Sequence, residues 1–88
     1  MERWRSLMHR ARVAPHNFEY GNLCYLVESA GWVFSRQQGS HRIYKHLGVK
    51  DRIATTINVQ NNGGKAKPAQ IKQVLVFIEQ HDLLPGGE

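Results

Sequence analysis

The spacing of apolar residues changes twice along this chain, and that change constrains the fold more than any other feature. Up to Gly31 the apolar residues repeat every three or four positions, the rhythm that lines one face of a helix. Trp4, Leu7, Met8 and Ala11 form a first such stripe. It must stop before Pro15, whose ring pushes Ala14 out of the helical region. Leu23, Leu26, Val27 and Ala30 form a second stripe, over about Tyr20–Ala30, and Gly31 stands where a left-handed C-terminal residue is wanted. From Trp32 the pattern becomes aromatic and β-branched, as short strands require. Trp32–Arg36 reads as one strand, Ser40–His46 as a second after the Gln37-Gln38-Gly39 turn, and Ile53–Val59 as a third. A polar, glycine-containing connection joins the last two, over Leu47–Arg52. Asn61-Asn62-Gly63-Gly64 supplies a loop. Pro68 then opens a final helix with Ile71, Val74, Leu75 and Ile78 on its buried face, Pro being tolerated in a first turn. Pro85–Glu88 reads as a frayed end. The expected fold class is therefore α+β: a two-layer α-β-β-β-α sandwich, both helices on one face of the sheet, with an extra short N-terminal helix. Residues 1–17 read as that helical extension and residues 18–84 as the domain proper.

Eighty-eight residues allow one core and no more. No apolar run approaches the roughly 20 residues that cross a bilayer, and the arginine-studded N-terminus lacks the apolar heart of a signal peptide. With Cys24 as the single cysteine, no internal disulfide is possible, and the thiol reads as a small buried hydrophobe. These features point to a soluble protein of the reducing cytoplasm. The net charge of +5 is unevenly placed. Between Ser29 and Ile78 the basic residues are Arg36, Arg42, Lys45, Lys50, Arg52, Lys65, Lys67 and Lys72, against Asp51 as the only acid. A field of one sign attracts polyanions, of which nucleic acid is the commonest in a cell.

Two motifs carry a resemblance. Gly39-Ser40-His41-Arg42-Ile43-Tyr44-Lys45-His46 is similar to the glycine-serine-histidine strand of HicA toxins. Asn62-Gly63-Gly64-Lys65-Ala66-Lys67-Pro68 resembles the glycine-rich loop and helix start that follow the third strand in the same family. The resemblance covers Phe18 to Leu84 and implies a fold like that of a double-stranded-RNA-binding domain. It also implies a toxin of a type II toxin–antitoxin system, an endoribonuclease that cleaves mRNA, with His41 as catalytic residue and a HicB-like antitoxin as partner. Many HicA chains carry a Pro-x-His run before the glycine loop; here the matching stretch is Asn58-Val59-Gln60-Asn61-Asn62 and brings no second histidine.

The chemistry suits the residues. RNA carries its own nucleophile, the 2′-hydroxyl, so metal-free cleavage needs a base, an acid and positive charge at the phosphorane. Histidine titrates near neutrality and serves either proton transfer. Arg42, Lys45 and Lys65 offer fixed charge, and the Gly63 and Gly64 amides offer backbone donors for a phosphate. The RNA-binding surface expected on these grounds comprises Arg36, Ser40, Arg42, Lys45, Gly63, Gly64, Lys65 and Lys67. No histidine spacing suggests a metal site, and no cofactor is expected. His41 shares its strand parity with Ile43 and Lys45, so the pattern leaves open whether it faces solvent or core. His46 reads as a solvated strand end and His9, His16 and His81 as surface residues, while Trp32, Phe34 and Tyr44 read as core rather than as base-stacking platforms. A non-catalytic RNA-binding module of the same fold class, or a protein-binding domain with an acidic partner, would show the same basic surface.

Overall fold

A computed structural model describes residues 3–46, 48 and 56–83. Helix α1 spans Arg3–Val13, a 3-10 turn Pro15–Asn17, helix α2 Tyr20–Ser29, strand β1 Val33–Gln38, strand β2 His41–Lys45, strand β3 Thr56–Gln60 and helix α3 Pro68–Gln80. The α+β class and the α-β-β-β-α order are those read from the sequence, with the extra helix in front. The start of the expected third strand, the segment 49–52 and the tail after Leu83 lie outside the described residues.

The three strands form one antiparallel meander in the order β1-β2-β3, with β2 in the middle. Tyr44 pairs with Ile57 and Arg42 with Val59, so these four side chains share a face. Tyr44, Ile57 and Val59 belong to the core together with Leu23, Leu26 and Val27 of α2 and Ile71, Val74 and Ile78 of α3. That face is therefore the one the helices cover. Leu7, Met8 and Ala11 of α1 enter the same core, and Trp4 packs against it.

The helix ends are set by specific local bonds. At the end of α2, Gly31 has φ +107°; its N–H donates to Glu28 O and that of Trp32 to Val27 O. This is the paired 6→1 and 5→2 bonding of a Schellman cap, for which glycine is the usual residue. The cap turns Trp32 inward to 1% exposure.

Strand β1 is exposed along its whole length, because it lies at the sheet edge beyond the helix layer. A register shift between Phe34 and Arg36 places an extra residue there, a bulge of the kind that twists an edge strand away from further pairing. The edge position corrects one expectation: Trp32 and Tyr44 are core, but Phe34 is 49% exposed. It sits edge-on to Tyr44 with the Arg42 guanidinium over its ring.

His46 also departs from the expected solvated strand end. It is half-buried, stacked edge-on against Trp32 at 5.0 Å. Its Nδ1 accepts the Gly48 N–H at 3.0 Å, so its Nε2–H donates to Ala30 O, also at 3.0 Å. The ring thus ties the end of β2 to the α2 cap. A Cβ on Gly31 would come within 2.6 Å of that Nε2, a second reason for glycine at the cap. His81 is half-buried at the end of α3, whereas His9 and His16 are exposed as expected.

Candidate functional site

Gly39 and Ser40 are the two central residues of the β1–β2 hairpin, since Gln38 pairs directly with His41. Gly39 has φ +59°, and Ser40 is not among the residues of positive φ. That combination marks a type II′ turn, which requires glycine at its first central position. The Gln37 side chain donates to Gly39 O at 3.0 Å and reinforces the turn. The glycine of the Gly-Ser-His motif thus fixes the place at which His41 begins β2.

The alternation that sends Tyr44 toward the helices sends His41 to the opposite face. Directly across from it on either side are Gln38 of β1 and Gln60 of β3. Diagonally across is Asn58, exposed, whose Oδ1 lies 2.8 Å from His41 Nδ1. Ser40 joins this cluster, its Oγ accepting from Gln60 Nε2 at 3.3 Å. Arg36 stands opposite Ile43 on the same face, one pleat along from His41. Lys45 is two further residues on, roughly 13 Å from His41 by the strand rise.

Other members of the expected surface lie elsewhere. Arg42 points to the helix side, away from His41. There its guanidinium donates to the Tyr44 hydroxyl at 3.4 Å, and that hydroxyl donates to Glu28 at 2.7 Å. Burial pushes the Tyr44 phenol well above its ordinary range, and the Glu28 carboxylate acts in the same direction against the opposing effect of Arg42.

The glycine loop is a second tight turn. Asn62 and Lys65 exchange both backbone bonds, and Gly63 and Gly64 have φ +62° and +89°. Positive φ at both central positions is the type I′ pattern. Asn61 N–H donates to Ser40 O, so this loop leaves the sheet beside the His41 turn. The Gly64 N–H is already donated to Asn61 Oδ1 at 2.8 Å and does not point at an open phosphate site. Backbone bonds from Tyr20 N to Gly64 O and from Ala66 N to Phe18 O tie the loop to the start of α2. Lys65 Nζ donates to Asn17 Oδ1 at 3.0 Å. Lys67 precedes α3 and is exposed.

The structure thus gathers Ser40, His41, Arg36 and Lys45 on one face and adds Gln38, Asn58 and Gln60, which the sequence reading did not select. Only the strand register identifies those three. Among the described residues, no three His, Cys, Asp or Glu side chains gather where they would hold a metal ion. No helix among them is long and apolar enough to cross a membrane.

The fold and this face define a small α+β domain, its α-β-β-β-α layout consistent with a fold like that of a double-stranded-RNA-binding domain, with a polar cluster centred on a histidine of the middle strand. Residues 21–83 match the model of a family described as HicA toxin of bacterial toxin-antitoxin. The chain belongs to the HicA toxin family and is the toxin component of a toxin–antitoxin pair, with a cognate antitoxin as its partner. No curated protein and no solved structure matches it at a significant level.

Proposed function

We propose that this toxin is a metal-independent endoribonuclease that cleaves mRNA, with His41 transferring the protons. The observation that carries this reading is the position of His41. It is a titratable side chain on the sheet face opposite the core, at a tight turn, among side chains that bind by hydrogen bonds. A structural histidine of this chain looks different: His46 has both ring nitrogens committed to backbone groups. On His41, one nitrogen meets Asn58 and the other is left for a substrate. In this reading His41 takes the proton of the 2′-hydroxyl, whose oxygen bonds to the adjacent phosphorus as the P–O5′ bond breaks, and the departing 5′-oxygen takes a proton from the imidazolium so formed or from water. Arg36 stabilises the charge that develops on the phosphorane oxygens. Ser40, Gln38 and Gln60 offer hydrogen bonds to the ribose or a base. Lys45, further along the strand, holds a neighbouring part of the RNA backbone.

Cleavage of a labelled transcript by wild type and His41→Ala tests the assignment. The variant is expected to lose activity by at least about 100-fold, the lower end of what general acid–base catalysis supplies, while RNA affinity and melting temperature stay nearly unchanged. Wild-type cleavage should survive EDTA and leave 2′,3′-cyclic phosphate or 3′-phosphate ends. An active His41→Ala protein would remove His41 from the mechanism. Activity lost on chelation and restored by magnesium would remove the metal-free route. RNA binding without any cleavage by wild type would leave a binding module of the same fold.

A further inference from the structure

We propose that Asn58 is a positioning residue that sets the tautomer of His41. This rests on the reading of His41 as the proton carrier and adds the group that makes it competent as a base. An amide oxygen only accepts hydrogen bonds. At 2.8 Å the contact between His41 Nδ1 and Asn58 Oδ1 is a well-formed one, so the proton of the neutral ring sits on Nδ1. The lone pair is then on Nε2, the nitrogen that in this reading accepts the 2′-hydroxyl proton.

The geometry follows from the sheet. Gln60 is the residue of β3 directly opposite His41, and Asn58 is its diagonal neighbour on the same face. Diagonal pairs across antiparallel strands lie within reach of longer side chains. The choice of an amide also has a chemical reason. A carboxylate at this position would hold the same nitrogen but would add a negative charge beside the ring and favour the imidazolium, which cannot act as a base. Asparagine orients the ring without adding charge. The charged side chains on this face among the described residues are Arg36 from β1 and Lys45 from β2; β3 contributes only Thr56, Asn58 and Gln60.

Three variants separate positioning from a merely structural role: Asn58→Ala, Asn58→Asp and His41→Ala. Asn58 is exposed and outside the core, so these proteins are expected to fold, and circular dichroism checks it. Long-range ¹⁵N–¹H correlation spectra of the His41 ring, recorded where the ring is neutral, should show the proton on Nδ1 in wild type. They should show a shift toward the Nε2–H form in Asn58→Ala. On a labelled transcript, Asn58→Ala should lower kcat by about 10- to 100-fold, part of the roughly 10²–10⁴-fold available to a general base, with KM nearly unchanged. Asn58→Asp should restore kcat at higher pH and move the acid limb of the pH–rate profile upward.

A wild-type ring protonated on Nε2, or a tautomer unaltered in Asn58→Ala, overturns the proposal whatever the activities are. Full kcat in Asn58→Ala beside an inactive His41→Ala overturns it while leaving His41 catalytic. If His41→Ala itself still cleaves, the catalytic reading fails and Asn58 positions no catalytic group, even where the spectra show the expected tautomer.

Discussion

Single side chains in this toxin owe their roles to which side of the sheet they reach. His41 and Arg42 are neighbours in sequence, yet one lies in the candidate site and the other in a hydrogen-bonded cluster against α2 with Tyr44 and Glu28. That cluster carries a consequence for stability. Burial, with the Cys24 thiol beside it, raises the Tyr20 phenol to about 12, and Tyr44 is raised further for the reasons given above. An unfolded tyrosine ionises near 10. A folded-state value above the unfolded one means the contribution is intact below about pH 10 and is lost as pH climbs toward the folded value. Urea midpoints should therefore hold steady from pH 7 to about 9.5 and fall between about 10 and 12. Tyr20→Phe, which removes one of the two ionisations, should make that fall shallower. An unchanged alkaline slope in this variant would place the linkage elsewhere.

Turns decide how the elements present these side chains. The β1–β2 hairpin needs a left-handed residue at Gly39, where φ is +59° although the space around it is open. An alanine there meets no neighbour and still incurs the backbone cost of that conformation, roughly 1–3 kcal/mol. Gly39→Ala should accordingly lower the urea-derived stability by about that amount. Because the turn fixes where β2 begins, it should also reduce RNA cleavage by more than the lost stability explains. Loss of stability with full specific activity would show that His41 is positioned independently of the turn. The glycine loop has a comparable part where the chain leaves β3, beside the Gly39-Ser40 turn. Its type I′ turn and its bonds to Phe18 and Tyr20 make it a brace between sheet and helix layer. Of the two amides expected to offer donors to a phosphate, that of Gly64 is already bonded to Asn61 Oδ1.

Over the whole molecule, the basic stretch that looks continuous from Arg36 to Lys72 is divided by the fold. Arg36 and Lys45 share the face of His41. Arg42 turns to the helix layer, Lys65 bonds to Asn17, and Lys72 lies on α3. If the antitoxin inhibits by covering the candidate site, Arg36 and Lys45 serve both ligands. Arg36→Glu combined with Lys45→Glu should then weaken RNA binding and antitoxin binding together. For RNA, each phosphate contact removed should also reduce the slope of log affinity against log salt by about 0.7, the value for single strands. Lys72→Glu is the control and should change both much less. Antitoxin affinity untouched by the double reversal, with RNA binding weakened, would place the antitoxin on another surface and make its inhibition allosteric.

The number, type and order of the elements were legible in the sequence because they depend on local causes. These are the apolar period before Gly31 and after Pro68, the β-branched runs between them, and glycine or proline where φ must be unusual. The place of His41 on the second strand was legible for the same reason, since it stands beside a glycine turn in a motif of eight consecutive residues. Its orientation was not, because His41, Ile43 and Lys45 share one parity and Arg42 and Tyr44 the other, and neither set is purely apolar. Ile43 and Tyr44 are both buried, and only the packing of Tyr44 into the core beneath α2, which Ile43 does not join, settled which set lies on the helix side. Phe34 was misread because sequence does not say which strand lies at the edge, beyond the cover of the helices. Asn58 was visible only as a departure from the family pattern. The connection from β2 to β3 leaves their register open, and it is the register that brings an asparagine seventeen residues away to 2.8 Å from the histidine.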